Sequence, residues 1–137
     1  MTTLRIALRN YADFENALQE EAHLFEAVNA GVVVELVPLG IHDLYNAAIK
    51  GGGLRSGEFD LALLCSDWLA ECVAKDAVED LHTWHSQRSV ANWPTGWSPT
   101  LVRPLLFGKQ LSALPWHDGP ECLVYRSDLF MDPNRRA

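Results

Sequence analysis

Leu4-Arg5-Ile6-Ala7-Leu8-Arg9, Val32-Val33-Val34-Glu35-Leu36-Val37 and Phe59-Asp60-Leu61-Ala62-Leu63-Leu64 are the three apolar runs whose reading decides the fold. The first alternates large apolar with charged or small residues, the period-2 pattern of a strand with one face more deeply buried. The second is nearly continuous and β-branched, which suits a strand covered on both faces, and Pro38 stops it. Between these two, Phe14, Leu18, Phe25 and Val28 recur at helical spacing, with Asp13 as N-cap and Gly31 just past the end. Between the second and third, a helix starting near His42-Asp43 carries Leu44, Ala47, Ala48 and Ile49. Gly51-Gly52-Gly53 and Ser56-Gly57 then return the chain through a flexible turn. Strand, helix, strand, helix, strand is the order of βαβ units, so the expected fold class is α/β, a mostly parallel sheet with helices on both faces.

Beyond the third run, Asp67-Trp68-Leu69-Ala70-Glu71-Cys72-Val73 reads as a short helix and Val78-Glu79-Asp80-Leu81 as an extended piece. Periodicity weakens from His82 to Pro99, where Trp84, Trp93 and Trp97 are read mainly as packing residues. Ser98 as N-cap with Pro99 at N1 starts a helix that Pro104 limits to a turn or two. Phe107-Gly108-Lys109-Gln110 looks like a hairpin turn into Leu111-Ser112-Ala113-Leu114-Pro115. After the loop 116–120, Cys122-Leu123-Val124-Tyr125-Arg126 reads as a last strand with Tyr125 in the core, and Ser127-Asp128-Leu129-Phe130 as the first turn of a helix.

At 137 residues the chain is long enough for one core, and hydrophobic and charged shares of 48% and 21% are those of an ordinary globular domain. Eleven Lys and Arg against eighteen Asp and Glu give a net charge of −7, with no basic run. That balance argues against nucleic acid or an anionic membrane as partner. Cys65, Cys72 and Cys122 fit neither a zinc ribbon nor a CxxC redox site and read as small buried apolar residues. His82 and His85 lack a third ligand at a convincing spacing, and the glycine-rich stretch 51–57 lacks the Lys-Ser/Thr of a phosphate loop. No metal or other cofactor is expected. The N-terminus shows no basic region followed by a long apolar stretch, and no run of about 18 apolar residues forms a membrane span, so a start at Met1 implies a cytoplasmic chain.

Gly108-Lys109, Ala113-Leu114-Pro115, His117-Asp118-Gly119-Pro120 and the stretch from Leu123 to Phe130 follow one another in an order that resembles the extracellular solute-binding proteins of ABC importers, the family 1 carbohydrate-binding type. Phe59-Asp60-Leu61-Ala62 followed by Asp67-Trp68-Leu69, and then Val78-Glu79-Asp80-Leu81, resemble the same family over essentially the whole chain. The resemblance implies a type 2 periplasmic-binding-protein fold, in which two α/β lobes close on a solute and deliver it to a membrane permease, on the periplasmic or extracellular side. Residues 1–137 then correspond to the first lobe, ending about where the family crosses into the second. Export and tight binding by this chain alone are the properties such an ending puts in question.

In parallel sheets ligands sit beyond the carboxyl ends of the strands. A pyranose offers apolar C–H faces that stack on aromatic rings and hydroxyls that need fixed polar partners. Tyr11 and Asp13 after the first strand, Ser66, Asp67 and Trp68 after the third, and Trp116, His117 and Asp118 in the late loop supply that mixture. Asp67 suits a helix N-cap as well as a ligand contact, and His117 a solvated loop as well as the site. A different class of function, a small α/β hydrolase using Asp67 or Asp118 with His117 as acid and base, lacks a G-x-S-x-G elbow and a visible acid pair. A truncated remnant with no role of its own is the third reading. The leading expectation is a solute-binding lobe without catalysis.

Overall fold

The computed structural model describes residues 1–87 and 92–119 together with Val124 and Arg126. Strand β1 (Thr2–Arg9) pairs in parallel along its whole length with β2 (Val32–Leu39), Thr2 opposite Val32 and Arg9 opposite Leu39. β3 (Leu61–Ala62) joins the other side of β1, also parallel, and the strand order is β2-β1-β3. The crossover from β1 to β2 and the one from β2 past β1 to β3 run in opposite directions across the sheet, and right-handed crossovers of opposite direction put their helices on opposite faces. α1 (Ala12–Val28) therefore covers one face and α2 (Ile41–Tyr45) the other.

The face under α2 holds the main core. Ala7 of β1 meets Leu44, Ala48, Ile49, Phe59 and Cys72, with Val37, Leu39 and Ala62 packed around them. α2 runs directly into one wide π turn, Asn46–Lys50, closed by a 2.6 Å bond from Gly51 N–H to Asn46 O. The glycines that follow form a junction and not a flexible turn. Gly52 takes φ +79°, Gly53 opens α3 (Gly53–Ser56), and Gly57 ends it at φ +77°. A positive φ is cheap only without a Cβ, so the run reads as two fixed corners around one short helix.

A 3₁₀ turn, Ser66–Trp68, leads into α4 (Leu69–Ala74), followed by α5 (Leu81–Gln87) and α6 (Pro99–Val102). Ser98 occupies the N-cap and Pro99 the first position of α6, and the chain tightens to 3₁₀ at Arg103–Leu105. β4 (Leu106–Phe107) and β5 (Gln110–Leu111) make an antiparallel hairpin with Gly108 at φ +62°. Leu69, Leu105 and Leu111 form a second core, to which Leu81, Trp93, Phe107 and Ala113 add.

Several expectations give way for identifiable reasons. β3 keeps two residues of the six-residue run, because Phe59 turns into the core at 3% exposure while Leu61 stands 56% exposed. Pro38 lies inside β2, tolerated because β2 is an outer strand and the missing N–H faces away from β1. Tyr11, not Asp13, is the N-cap of α1, and its carbonyl accepts from Phe14 N–H and Glu15 N–H. Leu81 begins α5 because the Asp80 carboxylate accepts His82 N–H and caps the helix. Phe25 and Val28 stand 43% and 80% exposed, since it is Ala22 that is buried on α1. Trp84 is also largely exposed, and Cys65 is exposed where Cys72 is buried. Of the expected last strand only Val124 and Arg126 are described, and neither lies in a strand, Val124 standing 85% exposed; the helix turn after it, Tyr125 in the core and Cys122 lie outside the described residues.

Candidate functional site

Three strand exits share one edge of the sheet: residues 9–13 after β1, 39–43 after β2 and 66–68 after β3. Asn10 N–H donates to Leu39 O at 2.7 Å and Leu63 N–H to Ala7 O at 2.9 Å. Pairing thus continues past the formal strand ends and holds the exits side by side.

Phe14, in the first turn of α1, sits at the centre of this edge. Its ring stands edge-to-face with Tyr11 at 4.9 Å between centroids, with Trp116 at 5.2 Å and with His117 at 4.9 Å. The segment after β5 is thereby folded back onto the start of α1. Tyr11 and Trp116 still present 48% and 47% of their surface, so the platform is fixed from behind and open in front. The Tyr11 hydroxyl donates to the Asp13 carboxylate, and that bond and charge push the phenol above its ordinary range. It therefore stays protonated at neutral pH, a donor as well as an acceptor. Gly119 approaches His117 so closely that a Cβ there would lie 3.2 Å from Nε2. The imidazole rests on the Phe14 ring and is otherwise exposed, as is Asp118 next to it.

Ser66 and Asp67 are exposed in the 3₁₀ turn, whose N-cap is Cys65, and Asp67 makes no side-chain cap bond. Trp68 turns inward. It is half-buried against the main core, with its ring 5.3 Å from that of Tyr45. The Tyr45 hydroxyl donates to Glu71 Oε2 at 2.7 Å and Lys75 Nζ meets Glu71 Oε1 at 2.6 Å, joining α2 to α4. The Lys75 and Tyr45 hydrogen bonds hold the Glu71 carboxyl below its usual range, and the same carboxylate raises the Tyr45 phenol.

The structure therefore gathers Tyr11, Asp13, Trp116 and His117 about Phe14, leaves Ser66, Asp67 and Asp118 in solvent, and packs Trp68 as a brace. Phe14 is the residue that sequence spacing missed. It reads as one member of a helical stripe, and the signal that marks it is its position one turn beyond Tyr11 at a strand exit. Among the described residues His117 has no hydrogen bond to Asp67 or Asp118, and no group of three or more His, Cys, Asp or Glu side chains is placed to hold a metal. Among the same residues no helix is long and apolar enough to cross a membrane.

No curated protein matches the chain. The family model of the bacterial extracellular solute-binding protein matches residues 10–134, a span that takes in the strand exits, Phe14 and the loop bearing Trp116 and His117. By that match, on a parallel α/β sheet of the appropriate kind, the chain belongs to the family of bacterial extracellular solute-binding proteins.

Proposed function

We propose that this chain is the first lobe of a two-lobe binding protein, holding a sugar or similar small solute at its strand exits and passing it to an ABC permease. Family membership supports a solute-binding role in transport outside the cytoplasm, in a family whose members are generally not enzymes. The observation that carries the ligand class is the ring platform: Tyr11 and Trp116 half-exposed around Phe14, with His117 and Asp13 beside them. Ring faces take the apolar side of a pyranose, and Asp13, Ser66, Asp67, His117 and Asp118 offer partners for its hydroxyls. Trp68 acts from behind, as packing that positions the third exit.

Closure of two lobes on a ligand is a population shift driven by contacts to both. A lobe taken by itself forgoes half of those contacts and leaves the solute in water, so residues 1–137 on their own are expected to bind at roughly millimolar strength. Chemical-shift mapping of the labelled chain against a panel of mono- and disaccharides, at on the order of tens of millimolar, tests the reading. Shifts centred on Tyr11, Trp116 and His117 with one sugar class are expected. Unchanged spectra with every sugar would sink it.

A further inference from the structure

A depression whose described lining includes none of the strand-exit residues is walled by Pro94, Trp97, Pro99, Val102 and Leu106, carries Arg103 in its lining and has a volume of about 460 Å³. Its walls are fixed. Trp97 packs on Trp93 with ring centroids 5.5 Å apart, and Trp93 belongs to the second core. The two prolines have locked φ, and Val102 N–H donates to Ser98 O, which ties the floor of the turn together. The surface is thus shaped before any ligand arrives.

The charge in this apolar setting is one-sided. Among the described residues no acidic side chain lines the depression, and Arg103 makes no ion pair. A guanidinium presents a rigid fork that matches a carboxylate in two parallel hydrogen bonds, and its neighbours here offer an indole and aliphatic walls. The volume falls in the range of about 300–1,000 Å³ that small molecules occupy. We propose that this depression binds a small amphipathic anion, an aromatic or branched-aliphatic carboxylate. The assignment is independent of the ring platform around Phe14.

The full chain is titrated with 8-anilinonaphthalene-1-sulfonate, followed by fluorescence, and the bound probe is displaced with indole-3-acetate or its neutral counterpart indole-3-acetamide. One saturable site is expected, with the acetate displacing about tenfold better than the acetamide. Trp97→Ala should weaken both competitors, whereas Arg103→Gln, at an exposed position where folding is not at risk, should remove the preference for the acetate and leave the acetamide unchanged. Phe14→Ala should leave the site intact. A non-saturable signal, a preference for the acetate that survives Arg103→Gln, or probe uptake that tracks self-association of the chain would overturn the proposal.

Discussion

Gly53 lies against the ring of Phe59: a Cβ on Gly53 would come within 2.7 Å of Phe59 Cδ2 and equally close to Ala47 O. Neither neighbour can give way, since one is backbone and the other a core ring at 3% exposure. Gly53→Ala is therefore expected to destabilise the fold by about 1–3 kcal/mol in urea unfolding. Adding Phe59→Leu should recover only part of the loss, because Ala47 O remains. An unchanged urea midpoint for Gly53→Ala would show that the approach is looser than described.

The two ends of the burial scale make a second test. Leu44 is 1% exposed and sits in the main core, while Val28 is 80% exposed on α1. Leu44→Ala should cost about 2–5 kcal/mol. Val28→Ser should stay within about 0.5 kcal/mol, since no described contact is lost. Equal losses in the two variants would mean that the outer flank of α1 is covered after all.

That contrast marks how much the sequence disclosed. Period-2 and β-branched runs place β1 and β2 because their burial is set by the strands themselves, and Pro99 and Gly108 mark α6 and the hairpin by local backbone chemistry. Val28 shows the limit. Helical spacing says which residues share a stripe, but how much of that stripe is covered depends on what packs against the helix, which no local pattern encodes. The same holds at the site: Tyr11, Trp116 and His117 were legible as residue types at strand exits, whereas Phe14 becomes their hub only when the segment after β5 folds back over a separation of about a hundred residues.

At that hub, Phe14→Ala removes the ring that Trp116 and His117 rest on. Each edge-to-face pair is worth about 0.5–1.5 kcal/mol, so loosening both should weaken sugar-induced shifts at least severalfold. Phe14→Tyr keeps the ring and should bind nearly as the unaltered chain does. Retained sugar shifts in Phe14→Ala would place the ligand elsewhere along the strand exits.

Asp80 links the second core to acid stability. Its Oδ1 accepts from His82 N–H at 3.0 Å and from Leu111 N–H at 3.1 Å, and the His82 bond, with help from Leu111, holds its carboxyl below the usual range. A carboxyl depressed on folding contributes stability that is present above its unfolded pKa, near 3.9, and is lost as pH falls through the folded value. Asp80→Ala should therefore lower the urea midpoint at pH 6, and the gap to the unaltered chain should narrow as pH drops below about 4. A gap that stays constant with pH would show that the loss comes from packing and not from the carboxylate.

Glu26 guards the outer edge of β2. The bonds from Thr2 N–H to Gly31 O and from Asn10 N–H to Leu39 O direct the odd-numbered residues of β2 toward β1, so even-numbered backbone groups face outward. Val32 N–H donates to Asn29 O at 3.1 Å, Val34 N–H donates to Glu26 Oε1 at 2.6 Å, and Pro38 has no N–H to offer. Of the four outward positions only Leu36 then offers an N–H, and such an edge is a poor template for a second strand. Glu26→Ala exposes the Val34 donor within a β-branched run, and sedimentation velocity should show more self-association than in the unaltered chain. Glu26→Gln keeps an acceptor at the same reach and should not. If both variants sediment alike, edge protection lies in Pro38 and the twist of the strand, and Glu26 is dispensable to it.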